Sequence, residues 1–201
     1  MKRWYLSLIF LFIGLFLGAQ EITISAGGNM GYLLNFIFQN FSSNDISTTT
    51  QNLGFGPYLD LTYARLGIDY NMIVAATNHD SSGAHELKDF SISFLNFYLL
   101  GKYPFTLGNF KIWPALGIQY AYCLEFQVPN AGGNPTTAAD LSDFYLLGGA
   151  GFDFTFDNIV ISPYLIFCYN LMPQTIKDPP SGFEAYNFSF QLGVSLGYII
   201  K

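Results

Sequence analysis

The last sixteen residues, YNFSFQLGVSLGYIIK, alternate between large apolar and small or polar side chains with hardly an interruption. Tyr186, Phe188, Phe190, Leu192, Val194, Leu196, Tyr198 and Ile200 fall on one face, and Asn187, Ser189, Gln191, Gly193, Ser195 and Gly197 on the other. A period of two belongs to a strand and not to a helix. Strands in soluble sheets usually run to about five or six residues, whereas a strand tilted across a membrane needs about ten, with its outer face apolar throughout. Length and pattern together favour a strand immersed in lipid.

Composition points the same way. The chain of 201 residues is 51% hydrophobic and 11% charged, with 21 Phe and 14 Tyr, against roughly 25% charged residues in an average soluble domain. Twenty glycines suggest close-packed or tightly curved backbone without a collagen-like repeat. A net charge of -6 with 8 Lys and Arg offers no basic stripe, which argues against nucleic acid as a partner. No linker rich in Ser, Gly and Pro divides the chain, so a single domain is expected.

Lys2 and Arg3 precede an apolar run from Leu6 to Phe16, followed by LGAQ. That order is the pattern of an export signal occupying residues 1–19 and cut after Ala19; the alternative is a retained anchor. Residues 20–201 then form the mature unit.

Beyond Ala19 no apolar run is long enough for a spanning helix, and alternation accounts for the hydrophobic residues instead. Eight segments carry it. Their outward faces hold Ile22 to Phe36; Leu53 to Leu61; Leu66 to Val74; a segment FSISFLNFYLLGKY; Ile112 to Phe126; Phe144 to Phe156; Ile159 to Leu171; and the final segment. Pro57 hints at a bulge in the second, because it removes a ladder donor. The fourth loses phase after Phe94, which predicts a bulge or apolar lumen positions there. Polar loops of about a dozen residues follow the odd segments, among them NFSSNDISTTTQ and NHDSSGAHELKD, while shorter connections with turn signals such as TLGN and DN follow the even ones. An even count with alternating long and short connections predicts an all-β fold: a closed eight-stranded antiparallel up-and-down transmembrane β-barrel. Closure is compulsory in lipid, where an open edge would leave backbone groups unpaired.

The export signal, the eight segments and the ending FSFQLGVSLGYIIK resemble the small bacterial outer-membrane barrels, the superfamily of the OmpA membrane domain, OmpX and OmpW. The resemblance implies an integral outer-membrane location, contact with outer-membrane lipids and assembly by the outer-membrane insertion machinery. Such chains commonly end on an aromatic residue; here Tyr198 is the last aromatic, before Ile200 and Lys201.

With the apolar faces toward lipid, the charged strand residues Asp60, Arg65, Asp69, Lys111 and Asp153 face the lumen and map to its periplasmic end. A narrow lumen would make them pair. Tyr58, Trp113, Tyr145 and Tyr164 are inward as well, and eight strands enclose room for little more than side chains. The expectation is a polar and aromatic plug, with a gate or small-solute site as the alternative. His79, Asp80, His85 and Glu86 lie in the second long loop. Two loop histidines without cysteines do not define a zinc site, so an exposed polar loop is the first reading and metal binding the second. HDSS at 79 to 82 has the residue types of a hydrolytic site, without a surrounding pattern. Cys123 and Cys168 face the lumen two strands apart, too far for the usual disulfide spacing, and are expected as free thiols.

No cofactor is implied. Three functions follow: a non-enzymatic monomeric barrel with a structural or surface-interaction role, its long loops meeting an extracellular ligand or host molecule; a narrow channel or carrier for small solutes; and a lipid-modifying enzyme.

Overall fold

The computed structural model describes residues 22–40, 45–80, 82–86, 91–108, 110–127, 142–171 and 184–200. The expected export signal at 1–19 lies outside them, as does Ser81. Among the described residues there are ten strands: β1 (Ile24–Asn40), β2 (Asp45–Leu61), β3 (Ala64–Asp80), β4 (Gly83–Glu86), β5 (Ser91–Lys102), β6 (Phe105–Leu107), β7 (Phe110–Gln127), β8 (Asp143–Phe156), β9 (Ile159–Asn170) and β10 (Glu184–Ile200). Eight are long. Each long strand pairs antiparallel with its neighbours along the chain, and β10 returns to β1, so the sheet closes into an up-and-down barrel. The closing pair runs without a register shift from Ile24 opposite Ile200 to Asn40 opposite Glu184.

Alternation sorts the side chains as the sequence requires. Met30, Leu116, Leu192, Val194 and Leu196 are among the many large apolar residues exposed on the outside, while Asn29, Asn71, Ser162, Ser189 and Ser195 are buried inside. This inverts a soluble protein and matches a lipid solvent with a polar lumen. Among the described residues no helix is long and apolar enough to cross a membrane; strands make the crossing.

The strands are longer than the alternating segments. β1, β2, β3 and β10 each have 17 residues, and a tilted strand of that length spans about 40 Å, well beyond an apolar band about 25 Å tall. The excess corrects two expected loops. Most of NFSSNDISTTTQ is paired strand from Asp45 onward, its β-branched threonines continuing the ladder: Thr48 stands opposite Asn78 and donates its hydroxyl to Asn78 Oδ1 at 2.7 Å. Likewise, within NHDSSGAHELKD, Asn78, His79 and Asp80 of β3 pair with β4, Asp80 opposite Gly83.

Bulges appear where the phase fails. β5 shifts register against β7 between Ser93 and Phe94, where Leu124 of β7 is left without a partner, and from there on Asn96, Tyr98, Leu100 and Lys102 face the lumen in unbroken register with β3. Pro57 behaves differently from expectation. The β2–β3 register is the same on both sides of it, and the shift lies between Gln51 and Asn52. Proline here removes one donor on an exposed position without inserting a residue.

Glycines make room inside. The ring of Tyr98 lies over Gly67, Trp113 over Gly151 and Tyr164 over Gly193, and each aromatic is the cross-strand partner of its glycine. A narrow lumen can hold such rings only if the neighbouring strand presents no side chain. Asp157, with φ of 54°, and Gly108, with φ of 60°, form the turns that precede β9 and β7.

Candidate functional site: the lumen and its plug

Asp60 and Arg65 flank the turn between β2 and β3 and are cross-strand partners. Arg65 donates to Asp60 Oδ2 from Nη2 at 2.7 Å and from Nε at 3.1 Å, and from Nη1 to Ser195 Oγ across the barrel at 3.2 Å. Lys102 Nζ reaches the other carboxylate oxygen of Asp60 at 2.6 Å and stands 3.9 Å from Asp153 Oδ2. Asp153 Oδ1 accepts from Trp113 Nε1 at 2.6 Å and from Ser162 Oγ at 2.7 Å. The Arg65 guanidinium lies 4.5 Å from the centre of the Tyr58 ring and 5.1 Å from that of Trp113. Two aromatic rings thus lie within cation–π distance of the guanidinium while its nitrogens are hydrogen-bonded.

The result is a closed layer. Arg65 is 2% exposed, Trp113 1%, and Ser162 and Ser195 0%. A cavity of about 50 Å³ opens on its periplasmic side against Asp60, Lys102, Lys111 and Asp153. A second cavity, about 20 Å³, lies above against Arg65, Trp113, Asp69, Asn29 and Tyr164. The two share no lining residue. Side chains of the Arg65 and Trp113 layer stand between them.

Each expected site residue can now be placed. Asp60, Arg65 and Asp153 belong to the network. Lys111 is half-buried at the rim, in register with Asp153 and beside the mouth cavity. Asp69 is buried higher up, opposite Asn96. Tyr58 and Trp113 join the plug; Tyr164 and Tyr145 fill the lumen above it, with Tyr164 accepting from Gln191 Nε2 at 3.4 Å and Tyr145 donating to Asp143 Oδ2 at 3.2 Å. All four aromatics are buried.

Lys102 was not anticipated, although it completes the network. The signal was present: taking Leu95, Phe97 and Leu99 as the outward row and counting by twos puts Leu100 and Lys102 inside. Asn96 and Tyr98 enter the lumen by the same count.

The histidines are separated by the hairpin that holds them. His79 is opposite Ala84 and Asn78 is opposite His85, so the two imidazoles leave opposite faces of the ribbon. No cluster of three acidic, histidine or cysteine side chains exists among the described residues. Ser82 Oγ lies 2.9 Å from His85 Nε2 across an exposed turn. Cys123 and Cys168 are buried free thiols.

No protein-family model matches the sequence, and no curated protein matches it. Among solved structures the chain is similar to Neisserial surface protein A, with 11% identity and a TM-score of 0.49, covering 86% of this chain and 97% of that one. It is similar to the outer-membrane protein OprG from Pseudomonas aeruginosa, with 12% identity and a TM-score of 0.47 over 89% of this chain and 95% of that one. The outer-membrane protein AlkL gives 11% identity and 0.46 over 90% and 92%. Likenesses at this level assign neither an activity nor a ligand.

Proposed function

We propose that the protein is a non-enzymatic outer-membrane barrel of structural or surface-interaction role, with a lumen sealed by its own side chains and contacts with an extracellular ligand or host molecule made at the outer hairpins and loops. One observation carries the reading: the mouth cavity and the mid-lumen cavity are separated by the Arg65 and Trp113 layer, which is held on every side by ion pairs, hydrogen bonds and ring contacts. A solute would have to break the Asp60 pairs to pass. On the outer side, the β1–β2 and β3–β4 ribbons carry polar, partly exposed positions such as Thr48, Asn78 and His85 beyond the apolar belt.

Planar-bilayer conductance tests the proposal. The unaltered protein is expected to show no stable open state, and a variant with Trp113→Ala and Tyr164→Ala, which removes both rings, is expected to conduct at least intermittently. A large, steady conductance from the unaltered protein would refute the plug and favour the channel reading.

A further inference from the structure

Above the plug the lumen wall changes character on β1, β2, β3 and β5. Gly54 and Gly56 are the inward positions of β2 there, and neither carries a side chain. Gly54 is opposite Asn71, whose carbonyl lies over it, and a Cβ added at Gly56 would come 2.8 Å from the Asp69 Cα. Asn29 stands opposite Gly56 on the other side, and Asn96 stands opposite Asp69. The two glycines therefore floor a bay walled by Asn29, Asp69 and Asn71, with Asn96 next along and Asn52 above.

The Asp69 carboxylate accepts from the Asn29 amide, yet each of these walls keeps one oxygen without a donor. Asn29 Oδ1, Asn52 Oδ1, Asp69 Oδ1, Asn71 Oδ1 and Asn96 Oδ1 are buried without a hydrogen-bond partner, and all five residues are more than nine-tenths buried. Buried acceptors are ordinarily satisfied, so five in one neighbourhood require a common explanation. Arg65, the nearest cation, directs its hydrogen bonds to Asp60 and Ser195. The Asn29 amide nitrogen serves the Tyr98 hydroxyl at 2.7 Å and the Asp69 carboxylate, while its oxygen has no partner.

We propose that Asp69, with the amide oxygens of Asn29, Asn71 and Asn96, forms a lumenal site for a small monovalent cation of the sodium type. Hard cations prefer carboxylate and carbonyl oxygen, which is the donor set present. Charge selects the valence. One carboxylate is neutralised by one positive charge, whereas a divalent ion would leave an uncompensated buried charge close to Arg65. Size agrees, because a cavity of about 20 Å³ that Asn29 and Asp69 line together with Arg65 and Gln191 adjoins them and holds one water-sized body.

The test uses the whole barrel refolded in zwitterionic detergent, with its thermal unfolding followed in sodium chloride and in choline chloride at equal ionic strength. Sodium is expected to raise the midpoint saturably, by roughly 5 °C at a hundredfold excess over half-saturation. Asp69→Asn should abolish that difference, and calcium chloride at the same ionic strength should give no larger rise. Equal midpoints in sodium and choline, a difference that survives Asp69→Asn, or a larger saturable rise with calcium would each overturn the assignment. Should Asp69→Asn fail to refold, sodium-23 resonance broadening by the unaltered protein decides: saturable broadening beyond that of empty micelles supports the site, and its absence removes it.

Discussion

Replacing Asp60 by Asn should be the most damaging single change at the periplasmic end. The carboxylate serves two buried cations, Arg65 through two hydrogen bonds to one oxygen and Lys102 through the other at 2.6 Å. Asparagine keeps one acceptor and turns a donor toward the second cation, and the nearest remaining carboxylate oxygen is 3.9 Å from Lys102. Breaking a buried pair by removing one partner costs about 3 to 5 kcal/mol. The mouth cavity against Asp60 and Lys102 lets water soften the loss, so the lower end, about 3 kcal/mol, is expected. Arg65→Met leaves Asp60 with Lys102 and should cost less. Because the two residues share one contact, the double variant should fall short of the sum by about 1 to 3 kcal/mol. Urea unfolding of the refolded barrel measures all three, with Trp113 as a built-in reporter, since the only other tryptophan is Trp4. A loss below about 1 kcal/mol for Asp60→Asn, or strict additivity in the double variant, would refute the network as a unit.

Two further outcomes follow from the faces of the barrel. Val194 lies midway between the outward Tyr198 and Phe190 and is 46% exposed; Val194→Arg should lower refolded stability by about 2 to 4 kcal/mol if it meets hydrocarbon, measured by unfolding from lipid vesicles. Gly151→Val should block folding or force Trp113 out of the lumen, because the indole occupies the space a side chain would need; an unchanged Trp113 fluorescence maximum in a folded variant would contradict that packing.

Much of this molecule was legible without coordinates. A bilayer outside and a polar lumen inside impose a period of two, so the outward rows of β1, β2, β3, β7, β8, β9 and β10 could be written from the sequence, and with them the inward placement of Tyr58, Arg65, Trp113 and Tyr164. Asp60 and Arg65 could be expected to meet because a short turn joins their strands. The first two outer loops were misjudged, since Ser, Thr and Asn read as loop residues locally yet continue the ladder when a neighbouring strand is already there to pair with them.

Other features belong to closure alone. Local alternation cannot say where an extra residue is inserted, and here it is Leu124 of β7 that has no partner on β5, while the unbroken register of β5 with β3 brings Lys102 beside Asp60. Local alternation cannot say that Ser195, 130 positions from Arg65, receives its hydrogen bond, nor that the ring of Trp113 lands over Gly151. Such contacts depend on the stagger with which eight strands meet around a lumen only side chains wide. The sequence by itself determined which face of each strand meets lipid, because that choice is made residue by residue against the solvent. Which inward side chains touch was decided by the tertiary structure, because register and closure are properties of the whole sheet.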